Sequence, residues 1–156
     1  MMNVYKFGGA SINSVDRIKN TADIIKSNTS TKTLMVVSAM GKTTNALEKV
    51  VEAFYDNRKD DALALFEKIK EAHISTLKYL VTLYWNEAIA VFNDCFTEVE
   101  WMLHDKPVRS YDYYYDQVVG CGELLSSTML SFYLKENKIS NQWIDVRDVV
   151  KSVDWS

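Results

Sequence analysis

The sequence predicts an α/β fold, and three observations carry that prediction. Two strand-like apolar runs, residues 3–7 (NVYKF) and 33–38 (TLMVVS), flank one helix-length segment. The second run is continuously apolar, which is typical of a parallel strand covered on both faces. Helical periodicity fills most of the remaining chain. A strand, a helix and a strand joined by short links predict a right-handed parallel crossover.

Four amphipathic helices are predicted from apolar residues that recur every three or four positions. Ser14 is the expected N-cap of the first of them. The apolar stripes comprise Val15, Ile18, Ala22 and Ile25; Leu47, Val50, Val51, Phe54 and Tyr55; Leu63, Phe66, Ile69, His73, Leu77 and Leu80; and Ala88, Phe92, Cys95, Val99 and Met102. The last three stripes form a helical excursion of about residues 46–104 at one edge of the sheet. A third strand is predicted at residues 142–146 (QWIDV).

Composition narrows the class of protein. A chain of 156 residues with 47% hydrophobic and 25% charged residues is typical of one globular domain. Its net charge of -3 argues against nucleic acid or an anionic membrane as the main partner. No run approaches the roughly 20 apolar residues that span a bilayer. Cys95 and Cys121 show no CxxC spacing, so we predict reduced thiols, no metal site and a cytoplasmic protein.

The stretch KFGGAS places two adjacent glycines directly after the first strand. A turn at Gly8 and Gly9 can aim backbone N–H groups at a phosphate, and Lys6 can supply a positive charge. An ordinary glycine turn beside a solvated lysine explains the same residues equally well.

The stretch VVSAMGKTTN runs from the second strand into the second predicted helix. Ser38 ends the strand, Gly41 marks a turn, and Thr43 and Thr44 stand at the helix start. Hydroxyls at this position either cap the helix or donate to a docked carboxylate or phosphate. The residues alone leave both interpretations open.

The stretch GCGELLSS separates two apolar runs with Gly120 and Gly122. We predict that Glu123 opens a helix there, in whose first turn the helix dipole stabilises a carboxylate. Such a carboxylate can pair with an ammonium group. One side of this helix carries small side chains, those of Ser126, Ser127 and Ser131. A glutamate at an ordinary helix start remains the simpler interpretation of this stretch alone.

Taken together, KFGGAS, VVSAMGKTTN and GCGELLSS resemble, in this order and spacing, the N-terminal half of the catalytic domain of aspartate kinases, in the amino-acid kinase family. The closing QWIDVRDVV is similar to the strand that follows in that family, so the resemblance covers residues 4 to about 150. It implies the N-terminal half of a three-layer sandwich with a mainly parallel sheet. The implied domain comprises residues 1–156, the substrate side of the catalytic domain.

The resemblance also implies a reaction, the transfer of the γ-phosphoryl group of ATP to the side-chain carboxylate of L-aspartate, which opens lysine, threonine and methionine biosynthesis. Mg²⁺ would accompany the nucleotide, and catalysis would rest on positioning and charge neutralisation. Lys6 would be catalytic and contact the transferring phosphates. The implied phosphate-binding set is Lys6, Gly8, Gly9 and Ser11, and the implied aspartate-binding set is Ser38, Thr44 and Glu123.

Two departures from the family pattern are visible. Ala10 stands where threonine is common, and Gly120 stands where serine is common. The second half of the family's kinase domain and its regulatory domains are absent from this sequence. We therefore expect little kinase activity from the 156 residues alone, and a homo-oligomer for a full-length enzyme. The alternatives are a non-catalytic binding module derived from the fold, and a related amino-acid kinase with another acceptor.

Overall fold

The computed structural model describes residues 1–28 and 30–150. Within these residues the chain forms two strands and six α-helices. Their order is β1 (Met2–Phe7), a short 3-10 helix (Gly9–Ile12), α1 (Val15–Lys26), β2 (Lys32–Val37), α2 (Thr43–Tyr55), α3 (Lys59–Leu80), α4 (Trp85–His104), α5 (Tyr111–Glu136) and α6 (Val146–Val149). No helix in the described part of the chain is both long and apolar enough to cross a membrane.

Strands β1 and β2 pair in parallel, which confirms the α/β prediction and the strand–helix–strand unit. Their register runs from Met2 opposite Lys32 to Phe7 opposite Val37. Both strands therefore end level with each other, and the segments that follow them leave the sheet at the same edge. Parallel α/β sheets bind ligands at this edge.

One face of the sheet packs against the core, and the other is exposed. Val4, Leu34 and Val36 are 62%, 42% and 46% exposed, whereas Tyr5, Phe7, Met35 and Val37 contact the core. The prediction that the second strand would be covered on both faces is therefore wrong for the described residues. A crossover helix and the helices beyond it bury only the side that they lie against.

The four predicted amphipathic helices are confirmed as α1 to α4. The Ser14 side chain accepts a hydrogen bond from the Arg17 N–H at 3.3 Å, as an N-cap does. His73 is 1% exposed, which confirms it as a core residue. The largest fully buried side chains of the helical layer include Phe54, Phe66, Phe92, Leu77, Leu103, Leu125 and Met129.

The third strand predicted at residues 142–146 is wrong, because the chain there is irregular until α6 begins at Val146. A strand exists only where a neighbouring strand pairs with it. Side chains attach this segment to α5 instead. Asn141 Nδ2 donates to the Ser131 carbonyl at 3.1 Å, and Trp143 Nε1 donates to Ser127 Oγ at 2.9 Å.

The prediction that Glu123 opens a helix is also wrong. α5 runs without interruption from Tyr111 to Glu136, so Gly120, Gly122 and Glu123 lie in its interior. An interior glycine costs a helix about 1 kcal/mol relative to alanine. Packing of α5 against α2 and α4 offsets that cost. The helix dipole consequently gives Glu123 no special stabilisation.

Candidate functional site

Two loops meet at the edge where the strands end. The first loop is residues 8–13 after β1, and the second loop is residues 38–42 after β2. Ser38 N–H donates to the Phe7 carbonyl at 3.0 Å, and Gly41 N–H donates to the Gly9 carbonyl at 3.1 Å. A Cβ atom on Gly9 would lie 2.8 Å from the Ala39 carbonyl oxygen. The two backbones are in direct contact, and only glycine fits at position 9.

The interior of α5 packs against the second loop from another side. A Cβ atom on Gly122 would lie 3.0 Å from Ala39 Cβ and 3.2 Å from Thr43 Cγ2. One turn further along α5, Ser126 Oγ is 2.7 Å from the Ser38 carbonyl oxygen. Close approach of helix and loop therefore depends on small residues at helical spacing, i and i+4.

Ala39 lies at the centre of this arrangement and is only 4% exposed. Gly9 approaches it from the first loop and Gly122 approaches it from α5. The three stretches singled out in the sequence, KFGGAS, VVSAMGKTTN and GCGELLSS, are thus held together around one buried residue. We call this arrangement the Ala39 junction.

Within the described residues, the polar side chains predicted to bind ligands have no hydrogen-bond or ion-pair partner. Lys6 and Glu123 are exposed, and Ser38 and Thr44 are half-buried. Among the hydrogen bonds and ion pairs of the described residues, none involves the side chain of any of these four. Two opposite charges and two hydroxyls are therefore available to a ligand.

Neighbouring hydroxyls of the same type are used by the fold. Thr43 Oγ1 donates to the Met40 carbonyl at 2.5 Å, and Ser126 Oγ contacts backbone carbonyls. The N-cap of α2 is Lys42, which makes no side-chain capping bond. Of the two interpretations of the helix-start hydroxyls, the structural one therefore fits Thr43, and Thr44 stays available.

The surroundings of the first loop suit an anion. Lys6 is paired in register with Val36 and shares its exposed face of the sheet. A Cβ atom on Gly8 would meet no atom within 4 Å, so open space adjoins the turn. The 3-10 helix begins at Gly9, where the first N–H groups lack intrahelical acceptors. Ser11 is half-buried, and its backbone carbonyl accepts a hydrogen bond from Thr21 Oγ1 at 3.1 Å.

Two cavities lie elsewhere and contain none of the predicted site residues. One, of about 30 Å³, lies between α4, α5 and α6, and its lining includes Cys95, Cys121 and Arg147. The other, of about 220 Å³, lies where the α2–α3 and α4–α5 turns meet, beside Lys59 and Pro107. The candidate site is exposed to solvent at Lys6, Gly8 and Glu123. In residues 1–28 and 30–150, no group of three or more His, Cys, Asp or Glu side chains is arranged to hold a metal ion.

Sequence reasoning missed the residues that build the Ala39 junction. Ala39 carries no signal of its own in the motifs, and the sequence predicts Gly122 as an interruption before a helix. The available signal was the spacing of small residues: Gly122 and Ser126 lie four positions apart, on one face of a helix. The side chains predicted to bind ligands, by contrast, lie in recognisable motifs.

Comparison with known proteins gives a consistent answer. Residues 1–155 match the amino acid kinase family. The chain is 31% identical to bifunctional aspartokinase/homoserine dehydrogenase 1, chloroplastic, of Zea mays, over 96% of this chain and 16% of that protein. It is 28% identical to lysine-sensitive aspartokinase 3 of Escherichia coli K12, over 97% of this chain and 32% of that protein.

Solved structures agree with these relatives. E. coli aspartokinase III in complex with lysine and aspartate superimposes with a TM-score of 0.84 at 25% identity, covering 99% of this chain and 33% of that chain. The same enzyme in complex with aspartate and ADP gives a TM-score of 0.81 at 26% identity. The fold is therefore that of the N-terminal region of aspartokinases. The chain spans between about a sixth and a third of the length of these relatives.

Proposed function

We propose, from the premise that the chain belongs to the amino acid kinase family, that it forms the aspartate-binding side of an aspartate kinase. The reaction is transfer of the γ-phosphoryl group of ATP to the side-chain carboxylate of L-aspartate, giving 4-phospho-L-aspartate. This step opens lysine, threonine and methionine biosynthesis. E. coli aspartokinase III, a structural relative, is known in complex with aspartate and ADP.

The observation that carries the proposal is the set of unpaired polar groups beside the Ala39 junction. Glu123 is exposed and has no cationic partner among the described residues, so its carboxylate is assigned the α-ammonium group of aspartate. Ser38 and Thr44 are assigned to the substrate carboxylates as hydrogen-bond donors. A ligand with one ammonium and two carboxylates matches a site that offers one carboxylate and two hydroxyls.

The nucleotide phosphates are assigned to the first loop. Within the described residues, Lys6 is exposed without an ion-pair partner and the Ser11 hydroxyl makes no hydrogen bond. Gly8 borders open space. These groups fit an anion. Lys6 would neutralise negative charge as the phosphoryl group moves, which is the main protein contribution in phosphoryl transfer. Mg²⁺ is proposed to accompany ATP, and no residue of this chain is assigned as its ligand.

We propose that turnover requires polypeptide beyond these residues. The chain corresponds to 33% of the E. coli aspartokinase III chain, and the exposed face of the sheet, with Val4, Leu34 and Val36, offers apolar surface to a further layer. Residues 1–156 alone are therefore expected to bind L-aspartate and to turn over little. Homo-oligomerisation of the complete enzyme is part of the same proposal.

Calorimetric titration of the chain with L-aspartate tests the assignment of Glu123. Glu123→Gln keeps the shape of the side chain and removes its charge, so it is expected to weaken binding about tenfold or more, the value of a charge-assisted hydrogen bond. Glu87→Gln, an exposed glutamate in the first turn of α4, is the matched control and should bind like the wild type. Equal affinity of Glu123→Gln and the wild type would refute the role.

Kinetics separate the enzyme from the alternatives. In an enzyme that carries the remaining kinase sequence, Lys6→Ala is expected to depress kcat, and Glu123→Ala is expected chiefly to raise KM for aspartate. A non-catalytic binding module would bind aspartate with no ATP turnover in any longer form. A kinase with another acceptor would phosphorylate a different amino acid more efficiently than L-aspartate.

A further inference from the structure

The hydroxyl of Ser126 touches the backbone of two residues that the proposed function assigns to the substrate. Its Oγ atom is 2.7 Å from the Ser38 carbonyl oxygen and 2.8 Å from the Glu123 carbonyl oxygen. Ser126 is 3% exposed, so water does not compete for these contacts. Ser38 and Glu123 are 85 residues apart in sequence, yet one side chain bridges them.

The two contacts differ in what they constrain. The bond to the Glu123 carbonyl lies within one turn of α5 and is a common local pairing of a helical serine. The bond to the Ser38 carbonyl is long-range and fixes the second loop against the helix. Because a hydroxyl carries one hydrogen, the two acceptors share it. Gly122 reinforces the same contact one turn earlier, where its missing side chain admits Ala39.

We propose that Ser126 is a positioning residue that sets the separation between the carboxylate-binding hydroxyls and Glu123, and thereby selects L-aspartate over L-glutamate. This inference rests on the proposed function. The two amino acids differ by one methylene between their ammonium and side-chain carboxylate groups. A site that binds both ends of the ligand distinguishes these lengths only if its two sets of binding groups are held at a fixed distance.

The distance is fixed through the backbone rather than through the ligand-binding groups. Ser126 holds the Ser38 backbone, while the Ser38 side chain has no partner among the described residues. Loss of the Ser126 hydroxyl therefore leaves every proposed substrate contact in place and frees the second loop to move relative to α5. The affinity for L-aspartate falls, whereas the longer L-glutamate is accommodated better.

The test compares L-aspartate and L-glutamate binding to the whole chain by titration calorimetry. One methylene is worth about 10- to 200-fold in a fitted site, which bounds the ratio of dissociation constants expected for the wild type. Ser126→Ala is expected to reduce this ratio about fivefold, as loss of one ordinary hydrogen bond does. Ser126→Thr keeps the hydroxyl but adds a methyl group to a packed contact. Where urea unfolding shows that this variant is as stable as the wild type, its ratio should match the wild-type ratio. Ser131→Ala removes a hydroxyl of α5 that contacts Asn141 and should leave it unchanged.

Each outcome decides between the hypotheses. If Ser126→Ala keeps the wild-type ratio, or weakens both ligands by one factor, the positioning role is wrong and the proposed function stands. If the wild type binds neither amino acid, the proposed function fails, and this inference fails with it. If Ser126→Ala does not fold, Ser126→Cys takes its place with the same expected loss of selectivity, because cysteine is only slightly larger than serine and its thiol is a weak donor.

Discussion

Substitution of Gly122 by alanine tests the close packing of α5 against the second loop. Alanine in a helix interior is favoured over glycine by about 0.8–1 kcal/mol. Here the added Cβ would lie 2.9 Å from Leu47 Cδ1, 3.0 Å from Ala39 Cβ and 3.2 Å from Thr43 Cγ2. The leucine tip can rotate away, but Ala39 Cβ moves only with its backbone. Rotation of the Thr43 side chain would break its hydrogen bond to the Met40 carbonyl. Overpacking of this kind costs about 1–3 kcal/mol.

Gly120 supplies a matched control on the same helix, because a Cβ atom there would meet nothing within 4 Å. Gly120→Ala should therefore gain the helix propensity without a packing cost and raise the free energy of unfolding by up to about 1 kcal/mol. Gly122→Ala should lower it by about 1 kcal/mol. For a chain of this size a difference of about 2 kcal/mol corresponds to about 4–8 °C in Tm.

Urea unfolding followed by far-UV circular dichroism measures both variants under the same conditions. The expected order of stability is Gly120→Ala, wild type, Gly122→Ala, with unchanged m-values. Because Ala39 and Thr43 belong to the segment that carries the proposed aspartate contacts, Gly122→Ala should also weaken aspartate binding, and Gly120→Ala should not. A Gly122→Ala protein as stable as Gly120→Ala would refute the close contact at the Ala39 junction.

Three further predictions follow from local environments. Burial lowers the pKa of His73 below its ordinary 6.5, so the unfolded state binds more protons than the folded state below that pH. The stability that this residue contributes should be complete above about pH 7 and fall as the pH drops through 6.5. His73→Leu should therefore reduce the difference between the urea midpoints measured at pH 7.5 and 5.5. The hydrogen bond to Cys95, together with burial, raises the pKa of the Cys121 thiol well above its usual range. Because both cysteines are buried, an aromatic disulfide reagent should label neither until denaturant is added. Rapid labelling of the native protein would contradict this prediction. Gly9→Ala places a Cβ against two backbone carbonyls and should destabilise the fold by about 1–3 kcal/mol, while Gly8→Ala, facing open space, should be nearly neutral in the same unfolding assay.

Local signals predicted the elements whose stability comes from their own amphipathic pattern. α1 to α4 follow apolar periodicity in the sequence, β1 and β2 follow short apolar runs, and the Ser14 cap follows from residue type and position. The signals for these elements lie in short windows of sequence, although β1 and β2 form only by pairing with each other. Their prediction therefore required no knowledge of the tertiary structure.

The errors concern elements whose form is decided by distant contacts. Residues 142–146 have the composition of a strand but no partner strand in the part of the chain that the structure describes. Side-chain bonds to α5 fix them in an irregular conformation instead. Gly120 and Gly122 are typical helix interruptions, yet α5 continues through both because Gly122 is needed for close packing. Neither outcome can be derived from a window of sequence.

The candidate site divides in the same way. The motifs predict four polar residues that bind ligands, Lys6, Ser38, Thr44 and Glu123. Their side chains are unpaired among the described residues. The order of chain segments did not reveal that Ala39 would be the residue around which the segments meet. That position depends on two backbones and a helix approaching within contact distance, which only the folded chain defines.

Three separate segments around Ala39 are proposed to form one binding surface for L-aspartate. Titration of isotopically labelled chain with L-aspartate, followed by amide chemical shifts, measures this at each residue. We expect saturable shifts at Ser38, Thr44 and Glu123 with a single dissociation constant, and little change in α3. Absence of shifts in these segments, or shifts confined to the cavity beside Lys59 and Pro107, would contradict the account.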